Sequence, residues 1–153
     1  MYSLGENNIE ERLIKTFNKD GLAVTFTLKE RFYGQRIDPI CADECFRHFS
    51  SFLSRRIYGS ANKRFNKKHP FFYSIEKGSL GRFHAHTLIP FPSKSRVHFF
   101  NFKNVVLEEW RKIRWANDVV KVNYLHDCEG WVRYCLKQRT KVSGVFDAVG
   151  WYE

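Results

Sequence analysis

Three side chains that commonly ligate divalent metals lie close together near the middle of the chain. Glu76 is followed by His84 and His86, and Ala85 separates the two histidines. Two neutral imidazoles and one carboxylate leave coordination positions free for water or a phosphate oxygen. This mixture of nitrogen and oxygen ligands suits Mn²⁺ and tolerates Mg²⁺, with Zn²⁺ as an alternative. The residues therefore predict a divalent-metal site able to act on a phosphate ester.

A β-hairpin would bring these three side chains onto one face of a sheet. The loop Ser79-Leu80-Gly81 places a glycine at its last position, where a positive φ is usual. Counting outward from that loop sets Glu76 opposite His84 and Ser74 opposite His86, and side chains along a strand alternate between faces. The other face would collect the apolar side chains Phe71, Tyr73, Ile75, Phe83, Ala85 and Ile89. Two exposed strand histidines without a ligand are the simpler alternative.

A candidate nucleophile lies on the last predicted helix, Glu129 to about Arg139. There Tyr134, Lys137 and Gln138 would form one polar stripe. A tyrosine has a reference pKa of about 10, so little phenolate exists at neutral pH. A neighbouring cation such as Lys137 favours the phenolate, and a metal that polarises the phosphate lowers the barrier to attack. Tyr134 and Lys137 are therefore the candidate catalytic pair; an ordinary amphipathic helix with a half-buried tyrosine is the alternative.

Hydrophobic patterning indicates the elements that must position these groups. The predicted order begins with a short helix over residues 4–17 and a half-buried strand over 22–29, and continues with a helix over 39–58, strands over 69–77 and 82–89, a helix over 97–113, a strand over 119–125 and the final helix. This order predicts an α+β protein with a central antiparallel β-sheet and helices packed on one face, as in ferredoxin-like and RRM-like folds. The other face would stay open. One domain spans 1–153, with an N-terminal extension (1–20), a core (22–139) and a C-terminal tail (140–153).

The charge balance favours a polyanionic partner. The formal net charge is +10 with a pI of about 9.6, which suits nucleic acid or an anionic surface. We expect Arg82, Lys94, Arg96 and one basic segment to surround the site and bind DNA, a solvated loop being the alternative. That segment contributes Arg55, Arg56, Lys63, Arg64, Lys67 and Lys68. No membrane-spanning stretch or signal sequence is recognisable, so we expect a cytoplasmic protein that is a monomer or a weak dimer.

The cysteines predict no zinc ribbon. All four, at positions 41, 45, 128 and 135, lie outside any C-x-x-C pair. Cys41 and Cys45 are one helical turn apart, and with His48 they offer an alternative metal site. Reduced, partly buried thiols are the expected state.

Taken in order, the two segments resemble the HUH endonuclease superfamily, and within it the rolling-circle replication initiators of the Rep type. His84-Ala85-His86 is similar to the His-hydrophobic-His motif, and Tyr134-Cys135-Leu136-Lys137 to the downstream Tyr-x-x-Lys motif. Glu76 lies where such proteins often take an acidic third ligand. The resemblance covers roughly residues 22–139.

The resemblance implies a Rep nuclease fold and the nicking of single-stranded DNA or an origin hairpin. Tyr134 would form a 5′-phosphotyrosine link and release a 3′-hydroxyl that primes synthesis, and a later transesterification would rejoin strands. A host helicase or replisome would be the partner, in a bacterial cell or for a phage or plasmid element. Because the chain stops at Glu153, it is expected to be either a small initiator or the nuclease part of a larger one. Only Tyr134 fits the helix motif, and Tyr124, on the preceding predicted strand, is the second candidate nucleophile.

Two other functions remain open. Single-tyrosine transposases of insertion sequences share this chemistry, and their Tyr-x-x-x-Gln pattern is satisfied by Tyr134 and Gln138. In those proteins the glutamine replaces the acidic ligand. A non-catalytic RNA-binding module has the same order of elements and stacks bases on aromatics of the open face, for which Phe72 is the clear candidate here.

Overall fold

An antiparallel sheet of five strands forms the centre of the computed structural model, which describes residues 4–78, 80–93, 101–137 and 148–152. The strands are β1 (Gly21–Leu28), β2 (Arg31–Phe32), β3 (Gln35–Arg36), β4 (Phe71–Lys77), β5 (Phe83–Pro90), β6 (Ala116–Tyr124) and β7 (Ala148–Tyr152). The helices are α1 (Leu4–Phe17), α2 (Pro39–Tyr58), α3 (Ser60–Phe65), α4 (Phe102–Arg111) and α5 (Cys128–Lys137). The main sheet has the order β6-β1-β5-β4-β7, and β2 and β3 form a separate hairpin. None of the helices in these ranges has the length and apolar character needed to cross a membrane.

The larger core lies between the sheet and helices α2 and α4. Alternation along β1 buries Val24, Phe26 and Leu28 on this face. The Phe26 ring lies 4.4 Å from the Trp110 ring of α4 and 5.1 Å from the Phe49 ring of α2, measured between centroids. The predicted apolar set of the β4–β5 hairpin belongs to the same cluster. The predicted α+β class and the inward face of the sheet are therefore confirmed.

The opposite face is only half open, which corrects the expectation that helices cover one face alone. Leu13 and Phe17 of α1 and Val132 of α5 pack against Phe72 and Leu88, which face each other across β4 and β5. The physical reason is that the side chains on this face are apolar at one end of the strands and polar at the other. One end is apolar and needs cover, whereas the polar end, which includes the predicted metal ligands, is left accessible.

Described residues of the predicted extension and of the predicted tail both take part in the fold. The predicted extension contains α1, which buries Leu13 and Phe17. The predicted tail contains β7, which pairs antiparallel with β4 so that Ala148 faces Ile75. The β2–β3 hairpin and α3 were not predicted. The start of the helix predicted over 97–113 and the end of the last helix lie outside the described residues.

His69, just before β4, ties the end of α2 to the end of β5. Its backbone N–H donates to Ser54 Oγ at 2.9 Å, and its Nε2 lies 2.6 Å from the Pro90 carbonyl oxygen, to which it donates. The side chain is 2% exposed, and burial lowers the pKa of His69 to about 4. The neutral imidazole is thus part of the folded structure.

The buried His69 predicts a loss of stability in acid. Between pH 6.5 and about 4, His69 is protonated in the unfolded state but stays neutral in the folded state. The free energy of unfolding therefore decreases as the pH is lowered through this range, by up to about 3 kcal/mol from this residue. Urea unfolding at several pH values should show a steeper loss for the native protein than for His69→Gln, whose amide can donate but does not titrate. Parallel pH profiles for the two proteins would contradict this assignment.

Candidate metal centre

The β4–β5 hairpin has the predicted register. Glu76 pairs with His84 and Ser74 with His86, while the Gly78 N–H donates to the Arg82 carbonyl at 2.8 Å. Gly81 has a φ of +80°, the left-handed conformation that glycine adopts without a steric penalty. The short loop therefore sets which side chains face each other along the whole hairpin.

Glu76, His84 and His86 converge on one point. One ligand atom from each lies within 4.8 Å of the others, and Glu76 Oε1 contacts the Nε2 atoms of both histidines, at 3.2 Å for His86. The two imidazole rings are 5.3 Å apart and nearly perpendicular. Two nitrogens and a carboxylate oxygen directed at a common centre can bind a divalent metal ion.

His86 is the most enclosed of the three side chains. It is 6% exposed, and burial lowers its pKa, although the hydrogen bond and charge of Glu76 oppose that shift. Its Nδ1 lies 3.1 Å from Oγ1 of Thr25, the residue opposite it on β1. A neutral imidazole oriented through its second nitrogen is the usual state of a metal-ligating histidine. Thr25 is thus a residue that can orient His86 towards a metal.

Helix α5 is held across the hairpin beside the metal centre. Trp131 Nε1 donates to the Thr87 carbonyl at 3.1 Å, and Ser74 Oγ donates to the Cys135 carbonyl at 3.3 Å. Val132 is fully buried in the smaller core. These contacts bind the helix to both strands that carry the metal ligands, so its position follows theirs.

Tyr134 lies at the rim of the centre. Its ring is 5.2 Å from the His86 ring and stacks on Trp131 at 5.4 Å with an interplanar angle of 21°. The side chain is 44% exposed, so the phenol is accessible to a ligand in solution. The spacing of Trp131 and Tyr134 on one helix was the signal that could have identified this stack. Lys137 ends α5 with its side chain outside the described part, and Gln138 lies outside it entirely.

The basic segment does not surround this centre, so the expected position of its six cations is wrong, while their contact with DNA stays a prediction. It follows α2, whose Leu53 and Ile57 pack in the larger core on the other face of the sheet. The segment leads into β4 at Phe71, which is about 17 Å along the strand from Glu76 at ~3.4 Å per residue. Arg55 and Arg56 lie in the last turn of α2, where Arg56 pairs with Glu108 at 3.2 Å, and Lys63 and Arg64 lie on α3. Lys67 covers the Tyr58 ring at 4.6 Å, and Lys68 lines a cavity of about 270 Å³ beside α2.

Other cations do lie near the centre. Arg82 is exposed directly before β5, two residues before His84. Lys121 of β6 is opposite Thr25, which is opposite His86, so an exposed lysine shares a cross-strand row with a metal ligand. Lys121 was not predicted, because its place depends on the pairing of distant strands. Lys94 and Arg96 lie outside the described residues.

The cysteine alternative is not supported by the geometry. In the described ranges, the group formed by Glu76, His84 and His86 is the one set of at least three potential ligands close enough to hold a metal. Burial raises the pKa of Cys45 to about 12, and His48 is exposed. All four thiols are unpaired, as predicted.

Comparison with protein-family models, with curated proteins and with solved structures found no match to this chain.

Metal affinity should depend on the three ligands and on Thr25. We expect His84→Ala to abolish measurable Mn²⁺ binding in calorimetry, and Thr25→Val to weaken it about 10- to 100-fold, the usual effect of removing a supporting hydrogen bond. His48→Ala is the matched control because His48 is exposed on α2. Equal affinities for native protein and His84→Ala would exclude the site.

Proposed function

We propose that this protein is a metal-dependent endonuclease of the HUH type that nicks single-stranded DNA with Tyr134. The observation that carries the proposal is the packing of the Tyr134 ring 5.2 Å from the ring of His86, beside the group formed by Glu76, His84 and His86. A phenol and a metal site meet on the accessible end of the sheet. The motif order that resembles Rep initiators supports the same conclusion.

The chemistry would be transesterification at a phosphodiester. Tyr134 Oη attacks the phosphorus and loses its proton, the bond from phosphorus to the 3′ oxygen breaks, and that oxygen takes up a proton to become a 3′-hydroxyl. The 5′ phosphate stays linked to Tyr134, and attack by a 3′-hydroxyl reverses the step and joins strands. Mn²⁺ or Mg²⁺ held by Glu76, His84 and His86 would polarise the phosphate.

An initiator of rolling-circle replication is favoured over a transposase by the place of Glu76. Its carboxylate contacts both histidines, which is the role expected of the acidic third ligand in Rep-type proteins. The substrate would be single-stranded DNA or an origin hairpin, with a host helicase or replisome acting afterwards.

A non-catalytic RNA-binding module is disfavoured by the smaller core. Phe72, its candidate stacking residue, is fully buried, and its ring lies 6.2 Å from that of Phe17. Base stacking on this face needs accessible aromatic rings. The helices α1 and α5 occupy the surface that such a module would use.

Removal of the phenol should abolish the covalent product. Incubation with single-stranded oligonucleotides and Mn²⁺ should give a protein–DNA adduct, resolved by denaturing gel electrophoresis. Tyr134→Phe should give none, because the ring and its stacking are kept while the attacking oxygen is lost.

Tyr124→Phe is the control for this experiment. Tyr124 is 59% exposed on β6, and its replacement should leave the adduct unchanged. An adduct of normal yield with Tyr134→Phe would refute the proposed nucleophile. Binding without any cleavage by the native protein would favour a non-catalytic module.

The identity of the third metal ligand distinguishes a Rep-type initiator from a transposase. We expect Glu76→Ala to weaken Mn²⁺ binding about tenfold or more, since one charged ligand is lost, and Gln138→Ala to leave it unchanged. Calorimetric titration measures both. The reverse result, with Gln138 needed and Glu76 dispensable, would establish the transposase arrangement.

A further inference from the structure

The β2–β3 hairpin lies at the end of the sheet that carries the metal centre. It follows β1 shortly after Thr27, the residue opposite His84. A Cβ placed on Gly81 would lie 3.6 Å from Arg36 Nη2, so the hairpin reaches the loop between β4 and β5. The β2–β3 hairpin therefore lies beside the loop that joins the two strands of the metal centre.

The tip of this hairpin holds a tyrosine in an unfavourable conformation. Tyr33 and Gly34 form a two-residue loop with φ values of +48° and +76°. Such loops select Asn, Asp or Gly at their first position, because a bulky side chain is strained there. Tyr33 is nevertheless 86% exposed, and its ring meets the edge of Phe32 at 4.6 Å. The fold gains little burial from this ring.

The stem of the hairpin also departs from the usual pattern. Arg31 and Arg36 face each other across the two strands, and like charges in that position repel. Glu30 pairs with Arg36 at 2.9 Å. Lys29 and Arg114 lie over the Phe32 ring at 4.9 and 5.0 Å. A strained exposed tyrosine among concentrated cations indicates a surface shaped for a ligand rather than for stability.

We infer that the β2–β3 hairpin is a binding site for single-stranded DNA, in which Tyr33 stacks on an unpaired base and Arg31 and Arg82 contact the flanking phosphates. Aromatic rings bind any base through its face, and cations along the backbone supply salt-dependent affinity. The choice of DNA as the ligand rests on the proposed function. The site itself rests on Tyr33 and its surroundings.

The test measures the binding of a fluorescein-labelled oligothymidylate of about 10 nucleotides by fluorescence anisotropy in EDTA, where cleavage does not interfere. Tyr33→Asn should bind about 5- to 100-fold more weakly, the range for one lost base stack. Its fold should be kept or improved, since Asn tolerates the left-handed conformation; thermal unfolding checks this. Tyr33→Phe should bind as the native protein does.

Two further variants locate the contact. Phe65→Asn replaces another aromatic residue, 77% exposed on α3, and should leave affinity unchanged. Arg31→Gln should reduce the slope of log affinity against log salt by about 0.7, the value for one phosphate contact with a single strand. Native affinity for Tyr33→Asn would overturn the inference. So would preferred binding to anionic phospholipid vesicles, which would make the hairpin a membrane contact.

The adduct assay separates this inference from the proposed function. If Tyr33→Asn weakens binding but the native protein forms no adduct, the hairpin site stands and the nuclease proposal fails. If the native protein forms the adduct and Tyr33→Asn binds normally, the nuclease proposal stands and the hairpin site is wrong.

Discussion

The antiparallel pairing of β4 with β5 determines both what the core contains and where the metal ligands lie. Side chains alternate between faces, so the register decides at once what is buried and what can bind a metal. With Glu76 opposite His84, the hairpin's apolar side chains join the larger core and the ligands share the other face. A slip of one residue would bury both imidazoles among aromatic rings and expose Phe83 and Ala85. The packing energy of the core thus stabilises the arrangement of the polar face.

The position of Tyr134 follows from the division of that second face into two ends. The apolar end, formed by Phe72 and Leu88, must be covered, and α1 and α5 cover it. Since α5 buries Val132 there, the tyrosine two residues further along falls near His86 at the boundary between the covered and open ends. The Trp131 and Ser74 hydrogen bonds fix the rotation of the helix about its axis. Burial of hydrophobic side chains on the same helix therefore determines the position of the Tyr134 phenol.

The parts of the site that are local in sequence could be predicted, and those that depend on distant pairing could not. The hairpin register follows from a short loop ending in Gly81, and the buried stripe of α2 from its spacing of apolar residues. By contrast, Lys121 reaches the row of His86 only through the pairing of β6 with β1. The position of the basic segment, by contrast, could have been inferred locally. The segment joins β4 at Phe71, five residues before Glu76, so the length of the predicted strand already separates the two. Tyr33 was missed because a two-residue hairpin with tyrosine at its first loop position runs against the usual turn preferences.

The cations of this protein fall into two groups, one distant from the metal centre and one close to it, and the net charge alone does not distinguish them. The cations between Arg55 and Lys68 lie away from the metal centre. They add to the positive field around the protein, which would attract a polyanion within about one Debye length of the surface, about 8 Å at physiological salt. Arg82 and Lys121 lie nearer the metal ligands, and for a phosphate bound there the geometry of the contacts would matter more than the number of charges. If the proposed nucleic-acid ligand is correct, the total charge of +10 would influence how fast and how tightly it binds. On the proposed function, the few side chains around the β4–β5 hairpin would decide which phosphate reaches Tyr134, and their arrangement follows from the register of β4 with β5.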